Sequence, residues 1–369
     1  MNEHFDYAVI GAGMAGSAIA AHLAEQSSVV LLETEDQPGY HATGRSAAVL
    51  ADFYGNAVIQ AITRASRPFF LAPPSGFTAG QLVNPRLLLM IAAPGDEATL
   101  QSFVAALPEG SGNAISVERA IELCPILRRD QLGSAALVTT IADIEVHELQ
   151  QGYLRLFRSR GGVIQQSAQV SALQRIGNGW RLTTSNGGID CTVVVNAAGA
   201  WADEVGAMAG AQRIGLQSYR RTALLIDPPA GSAIGEWPVL FDVNEAFYLK
   251  PDAGMLLLSP ADEGISDPCD AQPEDLDIAI AVDKIERTTT LEVKRIPHRW
   301  AGLRSFVEDR SPVVGYDGQV PDFFWMAALG GYGIQTAPEL SRVAAALARK
   351  EDVTTLGYDT DELSPIRLG

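Results

Sequence analysis

The sequence predicts an α/β protein, a parallel-sheet lobe interrupted by a second lobe of α+β character. Three observations predict it. First, the apolar run Tyr7–Ile10 meets Gly11, Gly13 and Gly16 in the spacing GxGxxG, small residues follow at helical spacing, and a second apolar run, Val29–Leu32, ends at Glu33. Short continuous apolar runs of this kind are strands buried on both faces. Second, a strand running into a small-residue turn and a helix returns at Thr192–Trp201. Third, the same pattern returns at Phe323–Thr336.

Each residue type in the first element has a task. Gly11 permits the tight strand-to-helix turn, Gly13 lets a pyrophosphate approach the backbone, and Gly16 lets the helix pack close to the strand. The helix start offers unpaired N–H groups and partial positive charge to phosphates. Glu33 stands roughly 20 residues beyond the first glycine, where a carboxylate accepts the ribose hydroxyls and repels a 2′-phosphate. The element is a Rossmann-like dinucleotide site, and an NADP-type ligand is disfavoured.

Composition narrows the class. A chain of 369 residues with 47% hydrophobic residues has enough material for two lobes, each with a core. A net charge of −17 without any Lys/Arg-rich run argues against nucleic acid. Cys124, Cys191 and Cys269 are scattered, and neither they nor the five histidines show metal or disulfide spacing. Cysteine usage of this kind fits a cytoplasmic protein. The first strand begins too near Met1 to leave room for a signal peptide. No apolar run reaches the roughly 20 residues of a membrane span, which leaves peripheral membrane contact open.

Along the chain, Pro38–Gly39 marks a turn, and Thr43, Gly44, Arg45 and Ser46 lead into a small-residue run expected to be helical. Such a segment suits the cofactor's diphosphate and ring. Tyr54–Leu71 reads as a helix ended by Pro73–Pro74, Arg86–Ala93 as a strand, and Asp96–Leu107 and Val117–Leu123 as helices. The nucleotide fold resumes near His147. There Glu148–Arg160 is an amphipathic helix, and Val170–Ile176 with Trp180–Thr184 forms a hairpin across Gly177–Gly179. Leu216–Ile226 reads as a strand on which the adjacent Arg220 and Arg221 must face opposite ways. Phe247–Lys250 and Met255–Ser259 form a second hairpin, and Glu274–Thr289 is a helix with Pro273 at its start. These breaks place 1–50, 146–213 and 299–369 in the nucleotide lobe, and 51–145 and 214–298 in the second lobe.

The motifs GAGMAG with Glu33, PGYHATGRSAA, VNAAGAWAD, FYLKPDAGMLL, WAGLRSF and GGYGIQT, in this order over nearly the whole chain, resemble the FAD-dependent D-amino-acid oxidase and dehydrogenase family, most of all its D-arginine dehydrogenase type. The resemblance implies non-covalent FAD and a substrate lobe whose antiparallel sheet covers the flavin. Gly11, Gly13, Ala15, Gly16 and Glu33 would hold the ADP half, and Val170 would meet the adenine through its backbone. Thr43, Arg45, Ser46, Ala48, Ala198, Gly199 and Trp201 would line the cofactor, and Gly331, Gly333, Ile334, Gln335 and Thr336 would frame the flavin C2 carbonyl.

The resemblance also implies a reaction. Arg304 and Tyr248 match the positions that grip a substrate carboxylate, with Arg221 as a third candidate and Tyr54 as a substrate-facing hydroxyl. Guanidinium groups suit this task because their planar fork gives two charge-assisted bonds to one carboxylate. The expected chemistry is hydride transfer from Cα of a D-amino acid to flavin N5, followed by hydrolysis to a 2-oxo acid and ammonia, with no obligatory side-chain base. Two departures set the side-chain preference. Leu88 stands where the D-arginine enzyme has an acid, and Val49 stands where it has a histidine. Both point to neutral or apolar side chains. The electron acceptor would be O2 or a quinone or dye. The alternatives are a flavin enzyme for secondary (N-alkyl or cyclic) amino acids or 2-hydroxy acids, and a non-catalytic flavin-binding redox sensor.

Overall fold

The computed structural model describes residues 4–354 and 359–368. Its strands form two sheets. The first sheet runs Val313–Tyr316, Phe323–Ala327, Gly187–Asn196, His4–Ile10, Val29–Leu32 and Val163–Gln165. His4–Ile10 is central, with Ile10 beside Asn196 on one side and Leu32 on the other, both in parallel register. Three strand ends therefore finish level, next to the glycine turn. Open α/β sheets bind ligands at such carboxyl ends. The hairpin Val170–Ile176 and Gly179–Thr184 is attached antiparallel to Gly187–Asn196.

Helices Met14–Leu23, Val146–Ser159 and Gly333–Ala348 cover one face of this sheet and share a core with Val9, Leu31 and Phe324. Trp180, Phe323 and Trp325 fill the other face with the short helix Ala202–Met208. The second sheet has ten strands. Its long pairs are antiparallel, and Val239–Asp242 lies parallel to Val83–Ala92. One face packs on helices Val117–Leu123 and Asp275–Thr288 through Leu89, Leu224, Leu249 and Leu258. The opposite face carries Val49, Tyr248, Ala223 and Trp300 and turns toward the cofactor lobe.

Several expectations need correction. The run after Ser46 is extended rather than helical: Val49–Leu50 forms a short strand against Ala142–Asp143 at the edge of the second sheet. The helix expected from Tyr54 begins at Ala57, because the Asn56 side chain accepts from the Ile59 N–H and caps it there. That helix packs on Gly333–Ala348 and shares the first lobe's core. His298–Phe306, expected in the nucleotide lobe, pairs along its whole length with Gln217–Ile226 in the second sheet. The longest strand, Ser134–Ile144, escapes sequence reading because its mixture of alanine, threonine and aliphatic residues has no clean period.

One buried group makes stability depend on pH. His22, on the helix Met14–Leu23, has an Nε2 with no partner, and burial first, then the charges of Arg160 and Arg349, lower its pKa to about 4. The unfolded chain takes up this proton near 6.5, so it binds more protons than the native state in between. Stability is then full above about pH 6.5 and falls toward pH 4, with a contribution on the order of 3 kcal/mol. Urea unfolding at pH 7 and at about pH 4 should show this loss, and His22→Leu should flatten it.

Candidate active site

The glycine turn is built by contact. Gly11 has φ +97°, and a Cβ there would lie 2.5 Å from the Ala197 carbonyl oxygen. A Cβ on Gly16 would lie 1.8 Å from the Gly11 carbonyl oxygen, so Gly16 belongs to the helix–strand contact and not to the cavity wall. Glu33 is held in place: one carboxylate oxygen accepts from the Ala12 N–H at 2.8 Å and the other from the Glu35 N–H at 3.0 Å. The Thr43 hydroxyl accepts from the Met14 N–H at 2.9 Å.

A cavity of about 430 Å³ runs from this turn into the space between the two sheets. Such a volume lies within the range of small-molecule and cofactor sites. Val170, Glu33, Trp201, Gly11, Gly13, Ala15, Thr43, Ala198 and Gly199 line it, as do Arg45, Ser46, Ala48 and the turn Gly331, Gly333, Ile334 and Gln335. At its far end, against the second sheet, stand Val49, Arg221, Tyr248 and Arg304, with Tyr54 beside them.

Besides Gly16, two expected residues lie outside the cavity wall. Thr336 is fully buried, its hydroxyl donating to the Tyr332 carbonyl at 2.8 Å, because the fourth residue of this turn has rotated into the helix–helix contact. Leu88 is buried in a cluster with Ala51, Met90, Val138 and Val239 and does not reach the cavity. Arg45 reaches the wall, but its guanidinium is already engaged. Nη1 donates to the carbonyls of Ala271 and Ala301 at 2.9 and 3.0 Å, and Nη2 pairs with Asp270. Sequence reading missed Asp270 and Ala271, which lie more than 200 residues away with no motif around them.

The far end holds two cations on neighbouring strands. Arg221 stands opposite Gly302, and Arg304 lies two residues further along on the same face. Arg220 faces the other way, to Glu274 at 2.6 Å and Asp277 at 3.1 Å. Arg221 is 7% exposed. Its Nε donates to the Asp262 carbonyl at 2.9 Å, Nη2 meets Glu263 at 3.3 Å, and Nη1 is buried without a partner. Burial, then the charge of Arg304, pulls its pKa below the usual arginine value. Burial also opposes the charge of Arg304, but the phenols of Tyr54, Tyr248 and Tyr332 around it more than offset this and lift its pKa.

Tyr332, which sequence reading passed over, has its own phenol pushed up to about 12 by burial, so it stays neutral. Its ring meets Tyr54 edge-on at 5.1 Å. Glu263 is only a partial counter-charge for Arg221, since its other oxygen pairs with Arg310 at 2.7 Å. The cavity's own carboxylates, Glu33, Glu35 and Glu204, all come from the cofactor lobe.

The glycine turn and the two arginines, one of them only partly matched by Glu263, share one cavity. The chain belongs to the family described as "DAO: FAD dependent oxidoreductase", whose profile matches residues 6–347. It is 22% identical to glycine oxidase of Geobacillus kaustophilus over 95% of each chain. It is 26% identical to rat (Rattus norvegicus) dimethylglycine dehydrogenase over 68% of this chain and 30% of that one. The first curated relatives it matches are much longer, and the chain spans only 30–38% of their length. Among solved structures, glycine oxidase of G. kaustophilus superimposes with a TM-score of 0.84 at 19% identity over 99% of this chain and 98% of that one. L-proline dehydrogenase of P. horikoshii does so with 0.84 at 20% identity over 100% and 98%.

FAD is the family's cofactor, and this cavity suits it. The glycine turn leaves room for a diphosphate that any Cβ would block, and Glu33 stands at the ribose position with no cation beside it for a 2′-phosphate. Among the described residues no group of histidines, cysteines or carboxylates could hold a metal. No helix among them is long and apolar enough to cross a membrane.

Two substitutions test the two ends. Gly331 has an ordinary φ, so its backbone tolerates alanine, but the new Cβ would lie 2.9 Å from Cζ and Nη1 of Arg304. Gly331→Ala should displace that guanidinium and weaken binding of a carboxylate ligand by about 10-fold or more, with little change in melting temperature. Glu33→Gln should leave carboxylate binding intact and raise the FAD dissociation constant by about 10-fold, measured by flavin fluorescence.

Proposed function

We propose that the protein oxidises an α-amino acid, a D-amino acid with an uncharged side chain, to the imino acid that water converts to a 2-oxo acid and ammonia. One observation carries this reading: two adjacent arginines, Arg304 half-buried and Arg221 buried with an unpartnered Nη1, and no carboxylate of their own among the described residues that line the cavity. Unpaired buried charge is costly, and a substrate carboxylate supplies the missing partner. FAD bound in the cradle supplies the two-electron acceptor.

The protein's own work is then placement. Arg304 and Arg221 fix the carboxylate, Tyr248 and Tyr54 add hydroxyls beside it, and the N-terminal turn of the helix Gly333–Ala348 brings its unpaired N–H groups to the same cavity. His41 also lines the cavity but is tied to Glu35 at 2.9 Å, on the cofactor side. Among the described residues no histidine or carboxylate lines the anchor end, so the substrate enters as the neutral amine. The preference for an uncharged side chain rests on Ala47, Ala48, Val49 and Ala223 at that end, where no acid waits for a guanidinium. This removes Leu88 from the argument and limits the likeness to the D-arginine type to shared motifs. O2 or a quinone takes the electrons, and the cytoplasm fits the cysteine usage.

A second reading, oxidation of a secondary amino acid, is favoured by relatives named for dimethylglycine and L-proline. Anaerobic bleaching of the flavin by D- and L-amino acids, sarcosine, proline and 2-hydroxy acids separates the readings. D-leucine and D-phenylalanine should bleach faster than D-arginine, and the reverse order refutes the proposed preference. Arg304→Met should raise KM by about 100-fold or more. kcat/KM should rise with pH along the titration of the substrate's own amine.

A further inference from the structure

A second buried charge cluster, Lys250, Asp143 and Arg86, lies on the same face of the second sheet, behind the residues that line the cavity and not itself in its wall. Asp143 accepts from Lys250 Nζ at 2.9 Å through one carboxylate oxygen and pairs with Arg86 through the other. All three side chains are largely buried, Lys250 most of all at 7% exposed. Arg86 Nη1 donates to the carbonyls of Gly235 and Trp237 at 3.2 and 3.1 Å. Among the described residues no other carboxylate pairs with Lys250 or Arg86. The nearby Arg67–Asp52 pair is self-balanced at 2.8 Å. One carboxylate therefore serves two cations, and the cluster carries an uncompensated positive charge.

Register places this charge. Asp143 stands directly across from Val49, which lines the cavity. Lys250 is two residues beyond Tyr248 on one strand, on the same face and roughly 7 Å along. The cluster thus lies behind two cavity-lining residues, Val49 and Tyr248, and its charge acts on the cavity through that wall.

We propose that the Lys250–Asp143–Arg86 cluster is a charge filter for the substrate side chain, with Lys250 as its specificity-determining residue. Its excess positive charge excludes cationic side chains, passes neutral ones, and favours those ending in a carboxylate. Arg304 and Arg221 fix one end of the substrate, so the filter acts on the other end alone. This rests on the carboxylate anchor proposed above and adds an acidic class to the substrates it admits.

The test uses the FAD-loaded enzyme and three non-oxidisable acids of equal length, valerate, glutarate and 5-aminovalerate, read by perturbation of the visible flavin spectrum. Glutarate should bind at least as tightly as valerate, and 5-aminovalerate at least about tenfold more weakly. Lys250→Met leaves a neutral Asp143–Arg86 pair. It should bring 5-aminovalerate within about threefold of valerate and weaken glutarate relative to valerate. If the three acids bind alike in the wild type, or Lys250→Met shifts all three together, the filter is refuted while the anchor stands. If none of the three binds, the anchor fails and the filter with it.

Discussion

The site is governed by electrostatic repulsion that the fold is made to tolerate. Arg221 and Arg304 sit on neighbouring strands with their charges facing the same cavity, and each is pushed by burial toward losing its proton. Like charges so placed persist only where geometry leaves them no escape and dipoles surround them. Gly302, opposite Arg221, lets the Arg45 side chain pack against it, Gly331 leaves room for the Arg304 guanidinium, and three phenols face that guanidinium. Under the function proposed above, an arriving carboxylate relieves this repulsion. Differential stabilisation of this kind makes a binding site selective.

The glycine turn of the cofactor cradle follows another logic, the close packing of backbone against backbone. Gly11, Gly16 and Ala197 meet at distances that exclude any side chain larger than hydrogen at the two glycines. The two halves of the cavity are joined by polar clasps between the sheets. Arg45 reaches from the cofactor lobe to the carbonyls of Ala271 and Ala301, while its own carbonyl accepts from Trp300 Nε1 at 3.0 Å. A shift of one sheet against the other would break these contacts as well as deform the cavity.

What could be read from the sequence was what is local. The tasks of Gly11, Gly13, Gly16 and Glu33 follow from spacing within one βαβ unit, and the opposite facing of Arg220 and Arg221 follows from strand pleat alone. Arg304 and Tyr248 were found through motifs long enough to be specific. Leu88 was misplaced because alignment fixes a residue's position on a strand but not what covers it, and Met90 and Val138 share its cluster. Asp270, Asp143, Lys250 and Tyr332 went unread because their partners are distant in sequence and become neighbours only on folding. Lobe boundaries suffered most, since His298–Phe306 and Val49–Leu50 look like continuations of the nucleotide segments that adjoin them.

The chain passes between the two sheets repeatedly, and strands that lie side by side are often far apart in sequence: Val49 pairs with Asp143, Leu88 with Val239, and Tyr219 with Arg304. Neither lobe is a continuous stretch that could be cut out and grafted elsewhere. Such non-local pairing slows assembly, because each contact must first close a long loop. It also binds the fates of the two lobes. Sequence drift in the pocket that reads the substrate is judged by whether the whole molecule still assembles, so new specificities in this architecture must arise by replacement of single side chains on a shared scaffold rather than by exchange of modules.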